Sequence, residues 1–121
     1  MYNMRISDSE RRPEMKRYAQ LIRVRQEYLE KYKELHAHPW SCVNEMIEAC
    51  NIRNYSIYFR DGFLFSYFEY VGDDFDADMK KMAADPNTQK WWEETNPCQL
   101  PIESAGPGQW WSDMEEVYHL D

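Results

Sequence analysis

The chain has 121 residues, with 14 Lys+Arg against 22 Asp+Glu and a formal net charge of −8. That length suits one compact domain, and 43% hydrophobic with 16% aromatic residues supply enough side-chain area for a core despite a mean hydropathy of −0.87, which argues against disorder. An acidic chain without a Lys/Arg block is repelled by phosphate backbones and anionic lipid, so nucleic acid and membrane surfaces are disfavoured as partners and a small neutral ligand is expected.

Residues 1–14 are polar and charged with no sustained periodicity. They are expected to form a flexible N-terminal leader before a single domain over 15–121. They contain no apolar run that could serve as a signal peptide, and no stretch of the chain approaches 18 apolar residues, so a cytoplasmic protein is expected. The three cysteines, Cys42, Cys50 and Cys98, match neither a zinc knuckle nor a CxxC pair, and reduced thiols are the simplest reading.

From Lys16 to Arg25, Tyr18, Ile22 and Val24 share one parity while Ala19 and Leu21 take the other, a strand pattern. In the next segment Tyr28, Leu29, Tyr32, Leu35 and His36 line one face of a helix. Pro39 disfavours helical geometry at His38 and ends that helix; Val43, Met46, Ile47 and Cys50 then mark a second. Two runs rich in Tyr, Phe and Ile flank Asp61-Gly62, the strongest short hairpin signal a sequence offers. Asp73, Asp74 and Asp76 supply a cap and first-turn charge for a helix reaching Ala84, with Phe75, Met79 and Met82 on its buried side. Asp85-Pro86-Asn87 breaks it, and a further helical turn or two comes next. The Pro- and Gly-rich segment Asn96 to Gln109 reads as an ordered surface loop, and Met114 to Leu120 as a closing strand.

The order β-α-β-β-α-β predicts an α+β, ferredoxin-like domain: a four-stranded antiparallel sheet with helices on one face. Both parities of the hairpin are apolar, as Tyr55, Ile57 and Phe59 alternate with Tyr58, and Phe63, Phe65 and Tyr67 with Leu64 and Phe68. A sheet with one wet face alternates more cleanly. The face away from the helices is therefore expected to be covered by a second copy in a homodimer.

Tyr32 and His36, four residues apart on a helix, lie over one another and could meet one ligand. Histidine exchanges protons near neutrality, and a phenol beside it can orient either the ring or a substrate oxygen, although the same spacing fits a structural histidine. His36 and His38 would point about 200° apart on a helix, which disfavours a shared metal. Trp91 and Trp92 diverge by about 100°, so one is expected to pack while the other borders a cleft. Trp110 and Trp111 either cap a pocket or pack on the dimer mate. Glu115-Glu116 reads as strand alternation rather than a catalytic dyad. The chain has no P-loop, GxGxxG, GxSxG or HExxH, so it lacks the usual signatures of nucleotide, serine-hydrolase and zincin chemistry, and neither a metal nor a cofactor is expected.

Taken together, Tyr32-x-x-x-His36 followed by Trp40, then Asn54-Tyr55-Ser56-Ile57-Tyr58, then Trp91-Trp92, then Met114-Glu115-Glu116-Val117-Tyr118-His119-Leu120 resemble the L-rhamnose mutarotase family over Lys16 to Asp121. The resemblance implies a dimeric ferredoxin-like α/β barrel that interconverts the α and β anomers of a 6-deoxy sugar without a cofactor. It further implies that His36 is the proton-donating histidine and Tyr32 a substrate contact. Tyr55 would be a strand tyrosine at the sugar and Trp91-Trp92 the indole pair beside it. L-fucose or another deoxy sugar in place of L-rhamnose, a non-catalytic sugar-binding dimer, and, by analogy of fold alone, a cofactor-free oxygenase remain as other readings.

Overall fold

A computed structural model describes residues 15–121; the leader expected over 1–14 lies outside the described residues. Strand β1 (Lys16–Val24) alternates as its sequence requires, and pairs antiparallel with β3 (Phe63–Tyr70) so that Ile22 meets Leu64 and Tyr18 meets Phe68. Strand β2 (Ile52–Arg60) joins β3 through Asp61 and Gly62, whose φ values of 51° and 85° are the left-handed pair a two-residue hairpin turn demands. The strand order β2-β3-β1-β4, antiparallel throughout, is that of the ferredoxin-like α+β class.

The helices obey their sequence punctuation. A 3-10 turn, Gln26–Tyr28, leads into α1 (Leu29–Ala37), and α2 (Ser41–Ala49) starts after Pro39-Trp40. Helix α3 (Phe75–Ala84) is capped by the Asp74 side chain, which accepts from the Ala77 amide at 3.1 Å. Asp85 then ends α3 and caps α4 (Pro86–Thr95) in one residue, accepting from the amide and hydroxyl of Thr88 at 2.9 and 2.8 Å. Proline at the first position of α4 lacks only an N–H that would have no helical partner. The expected break is thus a junction, and α4 beyond it is a ten-residue helix rather than a turn or two.

The helices cover one sheet face. Ile22, Val24, Leu64 and Cys98 pack with Leu29 and Tyr32 of α1, and Ile52, Phe68 and Tyr70 pack with Ile47, Phe75, Met79 and Met82 of α2 and α3. The Tyr70 hydroxyl donates to Asp78, which also accepts from the Asn51 amide, tying α3 to the sheet. On the other face, Tyr58 and Phe63 are 61% and 42% exposed, and the strand register sets Leu21, Phe65 and Tyr67 beside them.

The fourth sheet position differs from expectation. It is filled by two short pieces on the same edge of β1: β4 (Gln99–Leu100), opposite Arg23 and Val24, and β5 (Ser112–Asp113), opposite Gln20 and Leu21. The expected loop therefore contains a strand, and the expected closing strand at Met114–Leu120 is not formed. The Met114 amide makes one bond to the Ala19 carbonyl, and Glu116 pairs with Arg17 at 2.9 Å. Beyond this the tail is irregular, with Val117, Tyr118 and Leu120 87%, 77% and 77% exposed. Its alternation resembles a strand, but the backbone bonds to β1 stop at Met114, and only the Arg17 side chain reaches further along it.

A β-bulge in β2 matters for the site. Arg53 pairs with Glu69 and Ser56 with Tyr67, so Asn54 and Tyr55 together oppose Phe68. Asn54 absorbs the extra residue in the left-handed region, φ 51°, and its amide donates to Glu69. This parity change lets Ile52 and Tyr55 face the helices alike. Asn54→Val should destabilise the protein by about 1–2 kcal/mol, because a β-branched side chain is strained there, whereas Asn54→Gly should retain the bulge. Urea midpoints check this; equal losses in both variants would show that the side-chain bond, not the backbone, holds the bulge.

Candidate active site

Helix α1 brings Tyr32 and His36 face to face, with ring centroids 4.2 Å apart and planes tilted by 31°. Tyr32 is buried in the core. His36 is half-buried, and its Nδ1 lies 2.8 Å from the Tyr32 carbonyl. A carbonyl oxygen can only accept, so Nδ1 carries the proton and the neutral ring leaves Nε2 with a free lone pair. Burial lowers the His36 pKa below its ordinary 6.5, opposed in part by that carbonyl bond. At neutral pH the imidazole is uncharged.

Trp91, on α4, is buried and sets its edge against His36, centroids 5.3 Å apart at 71°. Trp40, in the turn before α2, packs on Trp91 in the same edge-on manner at 5.1 Å and 72°. Tyr55 enters from the bulged strand, edge-on to Phe68 at 5.7 Å. Its ring is 45% exposed, yet protein surrounds it closely enough to push its pKa up to about 12 by desolvation. The Tyr32 phenol is pushed up further, by burial first and then by Tyr55, so both hydroxyls keep their protons at neutral pH.

The structure thus brings Tyr32, His36, Trp91 and Tyr55 to one region. Trp92 points elsewhere, onto a surface groove with Gln89, Glu93, Asn96 and Pro97. Tyr28 falls in the 3-10 turn and is 41% exposed. Trp110 donates from its indole to Gln99 at 2.7 Å, and Trp111 packs against the core. Gln99 and Trp40 escaped sequence reasoning: the first is a single polar residue in a two-residue strand, and the second carries no signal beyond its place in a motif. His38 pairs with Glu34 at 3.1 Å, turned away from His36. Among the described residues no cluster of three or more His, Cys, Asp or Glu could hold a metal, and no helix is long and apolar enough to cross a membrane. All three cysteines are free.

A neutral imidazole with one bare nitrogen, two protonated phenols and indole walls can move a proton to and from an uncharged ligand while covering its apolar surface. Ferredoxin-like topology with this cluster of aromatic rings around a histidine on the helix-covered side of the sheet places the chain among small α+β proteins suited to acid–base chemistry. Residues 17–120 match the family model described as L-rhamnose mutarotase, and the chain is 31% identical over 109 residues to the L-rhamnose mutarotase of Bacillus subtilis, covering 88% of this chain and 100% of that one. The chain belongs to the L-rhamnose mutarotase family. Among solved structures, the L-rhamnose mutarotase of Formosa agariphila superposes with a TM-score of 0.67 at 20% identity, over 88% of this chain and 99% of that one. The tetracenomycin F2 cyclase of Streptomyces glaucescens, a type-II polyketide cyclase, does so at 0.66 with 14% identity, over 88% and 97%. These two likenesses speak to fold alone.

Proposed function

We propose that this chain is an L-rhamnose mutarotase, interconverting the α and β pyranose anomers by acid–base ring opening, with the region 15–121 as its single catalytic domain. The observation that carries the reading is the Nδ1 bond of His36 to the Tyr32 carbonyl, which commits the neutral ring to presenting Nε2 as a proton acceptor. In ring opening, Nε2 takes the proton of the anomeric hydroxyl, the C1–O5 bond breaks towards O5, and the Tyr32 hydroxyl hydrogen-bonds O5 as it takes up charge. After rotation about C1–C2, O5 attacks the opposite face of C1 and the imidazolium returns the proton to O1. His36 is therefore the acceptor in opening and the donor in closure, which accommodates the proton-donating role the family resemblance implies. Trp91 covers the C–H surface and methyl group of a 6-deoxy sugar and Tyr55 bonds a ring hydroxyl, while Trp92 stays on its own groove, away from the sugar. The cycle returns every proton and needs no redox step.

The test is saturation transfer between the α and β anomeric protons of L-rhamnose, with L-fucose in parallel. Protein-dependent exchange with rhamnose is expected. Exchange with fucose alone would reassign the sugar, and saturable binding without exchange would leave a sugar-binding module.

The same reading includes a homodimer built on the outer sheet face, in the cytoplasm. The support for the dimer is the exposed Tyr58 and Phe63 on a face that carries Leu21 and Phe65 and, among the described residues, no helix; exposed apolar area of this kind is costly on a monomer. The support for the compartment is three free thiols. Phe65→Glu should convert the dimer to monomer in sedimentation velocity with the helical content intact, and a wild-type monomer at micromolar concentration would remove the proposal.

A further inference from the structure

Gln99 is 4% exposed and lies in β4 opposite Val24, on the side of the sheet where Tyr32 packs. Both ends of its amide are engaged: the oxygen accepts from the Trp110 indole at 2.7 Å and the nitrogen donates to the Tyr32 hydroxyl at 3.1 Å. An indole nitrogen only donates. The end of the amide that meets Trp110 must therefore be the oxygen, and the end that meets Tyr32 must be the NH2 group. Tyr32 then receives a hydrogen bond on its oxygen and must send its own proton elsewhere, and no acceptor among the described residues takes it.

We propose that Gln99, its amide orientation set by Trp110, is a positioning residue that makes Tyr32 a hydrogen-bond donor to the ligand bound beside His36. The chain of bonds runs from the Pro- and Gly-rich loop after β4 to the ring set against His36, so the loop determines the polarity of the Tyr32 hydroxyl through Gln99. This deepens the mutarotase reading and rests on it for the identity of the acceptor, which is the pyranose ring oxygen. A phenol free to rotate could equally accept from a sugar hydroxyl and hold the ring in a second, unproductive pose. A phenol whose oxygen is already occupied favours one pose.

Gln99→Glu tests this with almost no change of shape. A carboxylate still accepts from Trp110 but can only accept from Tyr32, so the phenol turns its proton towards the carboxylate and away from the ligand. Anomer exchange should fall at least about fivefold, the loss expected of one neutral hydrogen bond, and to a similar extent in Tyr32→Phe. The double variant should lose no more than Tyr32→Phe alone, since Gln99 acts only through that hydroxyl. Losses that multiply in the double variant would mean that Gln99 merely braces the loop, and would overturn the proposal with the mutarotase reading intact. NMR of the wild type gives a readout independent of activity. The Trp110 indole proton should exchange slowly with water, and Tyr32→Phe should shift the Gln99 amide protons. These signatures in a protein without anomer exchange would uphold the donor polarity and sink the sugar reading. A rapidly exchanging indole, or a Gln99 amide indifferent to Tyr32→Phe, would overturn the proposal outright.

Discussion

His36→Ala should lower protein-dependent exchange of L-rhamnose anomers by about 10²–10⁴-fold, the range contributed by a positioned acid–base group, while leaving the protein folded. His36 is half-buried above the core and belongs to neither buried cluster, so its removal opens no internal cavity. The same reasoning sets a pH profile. Burial holds the folded pKa below 6.5; below that pKa the ring is protonated and Nε2 cannot accept, above it Nε2 is free. Turnover per substrate-free site should rise with pH through a midpoint under 6.5 and then stay level across neutrality, where both phenols remain protonated. A rate unchanged in His36→Ala, or an acid limb centred above 6.5, would remove His36 as the proton acceptor.

Ile22→Ala should cost about 2–5 kcal/mol, the range for emptying a fully buried aliphatic site, out of a total of about 5–15 kcal/mol for a domain of this kind. Ile22 is 0% exposed, opposite Leu64 at 2%, in the cluster that also holds Tyr32. The cavity would lie under the ring that stacks on His36. Ile22→Val, which removes one methylene, should cost about 0.5–1.5 kcal/mol. Urea unfolding at constant slope gives both numbers, and a loss under about 1 kcal/mol for the alanine variant would mean that the cluster collapses to fill the space. The mutarotation rate of the folded fraction should fall as well, since Tyr32 is positioned from below by this packing.

Elements whose signals are local could be read from the chain. The alternation of β1, the Asp61-Gly62 turn, the capping aspartates of α3 and the four-residue spacing of Tyr32 and His36 each depend on a few adjacent residues, and each appears in the structure. The features that escaped depend on distant partners. Two-residue strands such as β4 and β5 carry no periodicity, and their pairing is decided by the edge of β1 rather than by their own composition. Alternation after Met114 looked like a strand because the pattern is there, but the backbone ladder to β1 ends at Met114 and only a side-chain pair, Arg17 with Glu116, carries on. The bulge at Asn54 was hidden because Asn is commonplace in a turn-rich sequence, yet it is what sets Ile52 and Tyr55, three residues apart, on the same face of β2. That Trp91 rather than Trp92 meets His36 stems from the rotational phase of α4 against α1, a tertiary quantity. Gln99 would have been found only by asking what a polar side chain does between Cys98 and Leu100 if that stretch were a buried strand.

Splitting the last sheet position between β4 and β5 also separates two kinds of constraint on chain length. Within β1, β2 and β3 an inserted residue must be absorbed by a bulge, as at Asn54, or it reverses every side chain beyond it. Between Leu100 and Ser112 the chain leaves the sheet and returns to the same edge of β1, and lengthening such an excursion is cheap, about 0.6 kcal/mol for each doubling. Descendants of this fold could therefore vary the size and content of that excursion without disturbing the sheet or the imidazole. The variation would act on the donor that orients Gln99, so ligand preference could diverge there while the proton chemistry on α1 stays as it is.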